Sequence, residues 1–313
     1  MKLKIGTRGS KLSLVQTQLV LDALKKVKPE LEFEVVTIKT KGDIDARPLY
    51  TIDRKGIFEK EIDAAVRDGR VDFAVHSLKD IPSELPENLT IASIPKRESP
   101  NDVFVNDKNK KLKDIASKSV VGTSSLRRAV QINRLRPDVI VKPIRGNVET
   151  RVNKMLKGEF DAVVLAEAGL SRLGLTDVIV ERLPIEDFTP SPGQGAMAVV
   201  AREHDRDLIN ILKKIEDKQS RMEVTAERAL LLHINAGCRF PLGALASADA
   251  SKIALYASVY SADGKRRIDV KKTDSISNAE LLGTLVANEL EQRGAMKLAE
   301  EWRDAVEEWG STK

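Results

Sequence analysis

Val71-Asp72-Phe73-Ala74-Val75-His76-Ser77-Leu78-Lys79-Asp80-Ile81-Pro82 is the stretch on which the reading of this sequence turns. Val71 to Val75 is a short apolar run of the type that forms a buried strand. The run turns polar within a few residues and stops at a proline, so Ser77, Lys79 and Asp80 emerge together at its carboxyl end. In open α/β sheets that edge is where ligands bind. A strand end carrying solvated charges is the plain alternative, and only the flanking sequence separates the two.

Upstream, Lys2 to Gly6 reads as a strand and Thr7-Arg8-Gly9-Ser10 as a turn. A helix follows from Lys11 to Val27, striped by Leu12, Val15, Leu19, Ala23 and Val27, with Ser10 as its N-cap. A helix N-terminus, a hydroxyl and Arg8 then lie together, which favours an anion. Capping alone accounts for Ser10, but not for Arg8. Phe33 to Lys39 is a further strand. Gly42 to Gly56 has weak periodicity and mixed charge and reads as a long mobile loop. It leads through Lys55-Gly56-Ile57-Phe58 into a helix from Phe58 to Arg67.

Downstream, Thr90 to Ile94 is a strand, and the pattern restarts at Asp102. Val103 to Val105, Val120 to Gly122, Val139 to Ile144 and Phe160 to Ala166 read as strands. The last three run into turns and helices carrying Arg127 and Arg128, then Arg145 and Arg151, then Arg172. Cations in the first turn of a helix oppose its dipole, so helix stability does not explain Arg127 and Arg128. Arginines recurring at one topological position, each with a planar fork that suits a carboxylate, point to a cleft for a ligand with several carboxylates. Thr189-Pro190-Ser191-Pro192-Gly193-Gln194-Gly195-Ala196 is the clearest punctuation and reads as a crossing between domains. Ala196 to Ala201 is a strand, followed by a helix to Ile215 and another over Glu223 to Ile234. Strands at Leu242–Ala246, Ile253–Tyr260 and Arg267–Lys272, then helices from Asn278 and Ala295, form a smaller α+β unit. Ala262-Asp263-Gly264 marks a hairpin within it.

Of 313 residues, 42% are hydrophobic and 32% charged, enough apolar content for two or three domains. The net charge of +5 predicts an anionic partner. From Arg127 to Lys157 there are nine basic residues against two acids, a density that first suggests nucleic acid. No aromatic lies in that block, however, which argues against binding a single strand by base stacking. No apolar run approaches the roughly 18 residues a bilayer requires. The first residues enter a strand without a signal-type apolar region, and the single cysteine, Cys238, excludes an internal disulfide and suits a reducing cytosol. A cytoplasmic protein without membrane contact is expected. There is no dinucleotide fingerprint or P-loop, and His76, His204 and His233 are far apart in sequence, so no metal centre is expected. Cys238 taken alone is more simply a core residue, although a glycine turn beside Arg239 would suit a reactive thiolate.

Seven motifs in order resemble the hydroxymethylbilane synthase, or porphobilinogen deaminase, family. They are Gly6–Ser10, Lys55–Phe58, Val75–Asp80, Gly122–Arg128, Arg145–Val148, Gly193–Ala196 and Gly237-Cys238. The resemblance implies an α/β protein with two periplasmic-binding-protein-like domains around a cleft and a smaller C-terminal α+β domain. The expected divisions are 1–97 with 194–216, 98–193, and 217–313. It implies a transferase acting on porphobilinogen, a monomer, with a dipyrromethane cofactor thioether-linked to Cys238. Four porphobilinogens would be joined head to tail with loss of ammonia, and water would free the linear tetrapyrrole.

Asp80 is the expected catalytic acid, since a cation left by ammonia loss needs an anion beside its pyrrole N–H. Contacts to the cofactor are expected from Lys79, Ser77, Arg127, Arg128, Thr123, Ser124, Ser125, Asp43 and Gly146. Contacts to the substrate are expected from Arg8, Ser10, Gln16, Phe58, Arg145, Arg151, Arg172 and Gln194. The mobile loop would include Thr51, Arg54 and Lys55. Thr51 stands where bacterial members often have lysine, Asp53-Arg54 replaces Gly-Gly, and Ala236 replaces a glycine. A binding module without catalysis and a nucleic-acid binder remain as alternatives.

Overall fold

The computed structural model describes residues 2–44, 57–234 and 240–311. The first lobe contains β1 (Lys2–Thr7), α1 (Lys11–Val27), β2 (Glu32–Thr37), a short α2 (Lys41–Ile44), α3 (Lys60–Arg67), β3 (Phe73–Ser77) and β4 (Leu89–Ser93). The chain then crosses to β5 (Asp102–Val105), β6 (Val120–Gly122), α4 (Leu126–Leu135), β7 (Ile140–Lys142), α5 (Val148–Leu156), β8 (Ala162–Ala166), α6 (Glu167–Arg172) and β9 (Ile179–Arg182). It returns as β10 (Met197–Arg202), α7 (Arg206–Leu212) and α8 (Lys218–Ile234). The last unit is β11 (Gly243–Ala248), β12 (Lys252–Tyr260), β13 (Arg267–Ser275), α9 (Ala279–Gln292) and α10 (Ala295–Ser311).

The two large sheets share one plan. The first is ordered β2-β1-β3-β10-β4 and the second β7-β6-β8-β5-β9. In each, three parallel strands are joined by an antiparallel strand that has just crossed from the other lobe: β10 in the first, β5 in the second. This exchange of strands puts both crossovers against the ends of β3 and β8, and therefore against the cleft.

Sequence and packing agree on why β3 is apolar throughout. Phe73 and Val75 pack with Leu21 and Leu24 of α1, while Ala74 packs on the other face with Ile62 and Val66 of α3. A strand covered on both faces needs apolar residues at every position. Each such side chain, fully buried, contributes about 1.5–3 kcal/mol. The third sheet, β11-β12-β13, is antiparallel and covered on one face. Ile253, Leu255, Ala257 and Val259 of β12 meet Leu230 of α8 and Val286 and Leu290 of α9 there.

Several element bounds move. β3 begins at Phe73 rather than Val71, because the Val71 N–H is held by the Ala65 carbonyl at the end of α3. His76 and Ser77 are thus in the strand, and Lys79 and Asp80 in the 3-10 turn that follows. α3 starts at Lys60, with Phe58 outside it. α8 starts at Lys218, where the Asp217 carboxylate accepts the Ser220 N–H at 2.8 Å. β9 carries no strong strand signal and forms because it pairs along β5.

Candidate active site

Two turns of the first lobe form one wall of the cleft. Ser10 caps α1, accepting the Ser13 N–H at 3.3 Å, and Arg8 lies with its guanidinium 4.3 Å from the centre of the Phe58 ring. Gln16, buried on α1, donates to the Ser77 hydroxyl at 2.9 Å, which ties the helix to the end of β3. Lys79 and Asp80 follow and keep accessible surface. Lys79 is nonetheless deep among protein groups: desolvation, then Arg128, pull its ammonium down to about 8, against the attraction of Asp80.

The second lobe supplies the arginines. Ser125 caps α4, so the hydroxyls of Thr123-Ser124-Ser125 shape the turn itself. Thr123 accepts the Ser125 N–H at 3.2 Å, Ser125 accepts the Arg128 N–H at 3.4 Å, and the Ser124 hydroxyl donates to the Ile144 carbonyl. At the next turn Gly146 has φ +118°, and a Cβ there would meet Thr150 at 2.5 Å, so only glycine fits. Arg151 donates to the Gly146 carbonyl at 2.8 Å. Desolvation, then Arg128 and Arg145, pull Arg151 down to about 10, with Asp80 of the opposite lobe acting against them. Arg172 donates to the Gly195 carbonyl at 2.7 Å.

The negative group that Arg127 and Arg128 call for is present within the chain. Asp102, fully buried at the start of β5, lies 2.8 Å from Arg127 Nη1 and accepts from Arg128 Nε and Nη2 at 3.0 and 2.7 Å. Gln194 donates to the same carboxylate at 2.8 Å, and its Oε1 accepts from both Lys79 and Arg128 at 3.3 Å. Burial raises the proton affinity of Asp102, but Arg127, Arg128 and Gln194 outweigh it and hold the carboxyl well below the usual range. Gln194 therefore joins the crossover, the lysine of one lobe and the arginine of the other. The next residue, Gly195, has φ +87°, and a Cβ there would lie 2.3 Å from the Glu98 carbonyl, so the two crossovers touch backbone to backbone.

Asp102 carries no motif, and sequence reasoning missed it. The same is true of Glu227, buried on α8. It binds Arg97 Nη1 at 2.7 Å, the Gly193 N–H at 2.5 Å and the Ala246 N–H at 2.8 Å, fastening the last unit to both crossovers. Of the expected site residues, Lys79, Asp80, Arg128, Arg151 and Gln194 are brought together across the two lobes, while Arg8 lies against Phe58. Asp43 is in α2. Cys238, Thr51, Arg54 and Lys55 lie outside the described residues. Among the described residues no group of three His, Cys, Asp or Glu could hold a metal ion.

Residues 3–210 match the family described as "Porphobilinogen deaminase, dipyromethane cofactor binding domain", and residues 221–292 match "Porphobilinogen deaminase, C-terminal domain". The "Probable porphobilinogen deaminase" of Nitrosopumilus maritimus is 55% identical over 312 residues, covering 100% of both chains. The "Porphobilinogen deaminase" of Roseiflexus castenholzii is 45% identical over 297 residues, covering 95% of this chain and 98% of that one. Among solved structures, a BvgS VFT2 domain of Bordetella pertussis matches at 18% identity and a TM-score of 0.42, over 69% of this chain and 85% of that one. Two family matches in tandem, and relatives aligned almost end to end, settle the affiliation: this chain belongs to the porphobilinogen deaminase family.

Proposed function

We propose that condensation proceeds in the cleft between the two lobes, with Asp80 as the anion beside the reacting carbon and the surrounding cations holding carboxylates. The chain is a transferase of tetrapyrrole biosynthesis that joins four porphobilinogens and carries a dipyrromethane cofactor. Each pyrrole bears an acetate and a propionate, so every ring added brings two negative charges. The donor set fits: Arg8, Lys79, Arg145, Arg151 and Arg172 come from both lobes. Covalently held at Cys238, the dipyrromethane supplies the pyrrole carbon from which the product is extended.

The chain's own residues divide the remaining work. Lys79 and Arg151 hold carboxylates as compact and planar cations respectively. Arg127 and Arg128 are fixed by Asp102, so they present their remaining N–H groups in one orientation. Asp80 stabilises the cation left on porphobilinogen when ammonia departs, and accepts the proton lost when the new carbon–carbon bond forms. Gln16, Ser77 and Ser10 set the positions of α1 and β3 behind these groups. Gln194 senses both lobes.

The observation that carries this reading is the convergence of cations from both lobes: Lys79 and Arg128 both donate to Gln194 Oε1 at 3.3 Å, and desolvation, then neighbouring arginines, lower the proton affinity of Lys79 and Arg151. A protein holds cations this close, against their repulsion, where an anion is to be bound. We divide the chain into 1–97 with 194–216, 98–193 and 217–313, a division supported by the two crossovers and the Glu227 junction. We also take the protein to act as a cytoplasmic monomer, independent of nucleic acid and membrane. No described helix is long and apolar enough to cross a bilayer.

Intact mass tests the assignment of the cofactor. The purified chain should be heavier than its sequence by two pyrrole units, and Cys238→Ser should return to the bare mass, since a serine oxygen is a far poorer nucleophile than a thiolate. A serine variant that keeps the added mass would move the attachment elsewhere.

A further inference from the structure

Glu59 stands at the start of α3, where a carboxylate ordinarily caps the helix. Here it makes no capping bond, and its backbone is already helical, with φ −117° and ψ −25°. The side chain turns inward and is 2% exposed. Its Oε2 accepts the Phe58 N–H at 3.1 Å, while Oε1 is buried without a hydrogen-bond partner. Among the described residues no lysine or arginine is paired with it.

Its neighbours are mostly acids. On its own helix are Lys60, Glu61 and, one turn on, Asp63, whose Oδ1 lies 3.1 Å from Nε2 of the buried His76 on β3. Across from it is Asp80, in the turn after β3. Glu59 and Asp63 line a pocket of about 310 Å³ with Lys60 and residues 82–86, which add Glu84. Arg8 lies over the ring of the preceding Phe58. A carboxylate removed from water with one hydrogen bond and two acids beside it takes up a proton rather than stay charged. Burial, then Asp80, then Asp63 push the Glu59 carboxyl up to about 8.

We propose that Glu59 is a positioning residue for the condensation: a neutral acid seated behind Asp80 that keeps the pair's proton and leaves its single negative charge on Asp80. This rests on the reading of Asp80 as the anion that faces the reacting carbon. When Glu59 ionises, a second anion appears beside the cleft and repels the carboxylates of incoming porphobilinogen.

Glu59→Gln keeps both shape and neutrality. The ratio of wild-type to variant kcat/KM should be near one at pH 6.5 and fall several-fold above pH 8, through KM. Lys79 titrates in both proteins and cancels in the ratio. The proton is also readable without activity. An unfolded glutamate ionises near pH ~4.3, so between there and about 8 the native chain holds a proton that the unfolded chain has lost. Wild-type stability therefore falls through that window, and the melting-temperature advantage of Glu59→Gln should grow from pH 5 to pH 8 and then level. Should the variant not fold, an infrared carboxylic-acid band in wild type at pH 7, lost on raising the pH past 8, reports the same proton. A melting difference flat in pH, or no such band, overturns the proposal. A rate ratio flat in pH overturns the positioning role even where the proton is found. Failure of the Asp80 reading looks different: Asp80→Asn would release ammonia at the wild-type rate while the band in wild type remains.

Discussion

Asp102 and Glu59 are both carboxylic acids closed off from solvent within the same chain, and their surroundings drive them in opposite directions. Asp102 has two guanidinium groups and the Gln194 amide on its oxygens, and is held well below the ordinary carboxylate range. Glu59 has one backbone N–H and two acidic neighbours, and is pushed up to about 8. Burial raises proton affinity at both sites, so burial does not decide the outcome. The number of donors within reach does. The crossover thus contains a fixed charge that orients Arg127 and Arg128, whereas the pocket behind Asp80 contains an acid with no cation to hold it ionised. Glu227 follows the Asp102 pattern, with Arg97 and two backbone N–H groups as partners.

The comparison can be broken most forcefully at Asp102. Asp102→Asn leaves two buried guanidinium groups without their anion, and a loss of about 3–5 kcal/mol is expected in urea unfolding. A loss below about 1 kcal/mol would mean that the arginines find other partners, and that the fixed charge is not what holds the crossover. Lys79 gives an intermediate effect. Its ammonium is pulled down to about 8, so carboxylate binding should weaken several-fold as pH rises through that value. Lys79→Arg, which stays charged, should remove the Lys79 share of this alkaline rise in KM and leave the share due to Glu59, while changing neutral-pH kcat through its different shape. An unchanged alkaline limb in the arginine variant would assign the limb to another group. Glu59→Gln should have the smallest effect, near none at pH 6.5, and sharpens the comparison because the same exchange at Asp102 is severe.

Much of the fold was legible in sequence because its signals are local. The helix Lys11–Val27 falls at its expected bounds with its Ser10 cap, but it buries Gln16, Thr17, Val20, Leu21 and Leu24 rather than the expected stripe, of which Leu19 and Val27 are exposed. The strand-turn-helix units that present Arg127, Arg145 and Arg172 also occur in the expected order, with the strands expected over Val139–Ile144 and Phe160–Ala166 shortened to Ile140–Lys142 and Ala162–Ala166. Strand pairing was less legible: nothing near Asp102 or Met197 reveals that β5 and β10 insert antiparallel into the opposite lobe's sheet. The same distance hides the buried acids. Asp102 looks like a charge bordering a short strand, and its partners lie 26 and 92 positions away. Glu59 looks like an ordinary helix-start acid until the loop after Asp80 is packed over it. The reading of Arg127 and Arg128 as facing something negative was sound, but an acid of the chain itself supplies the first such group.

The most direct test of the catalytic account is single-turnover ammonia release by Asp80→Asn at saturating porphobilinogen, with Asp80→Glu measured beside it. The amide keeps size and hydrogen bonding but removes the anion, so release should slow by roughly 100-fold or more while porphobilinogen binding persists. The glutamate keeps the charge in a displaced position and should fall between the amide and wild type. An asparagine variant as fast as wild type, or faster than the glutamate variant, would contradict the assignment of the reaction's anion to Asp80.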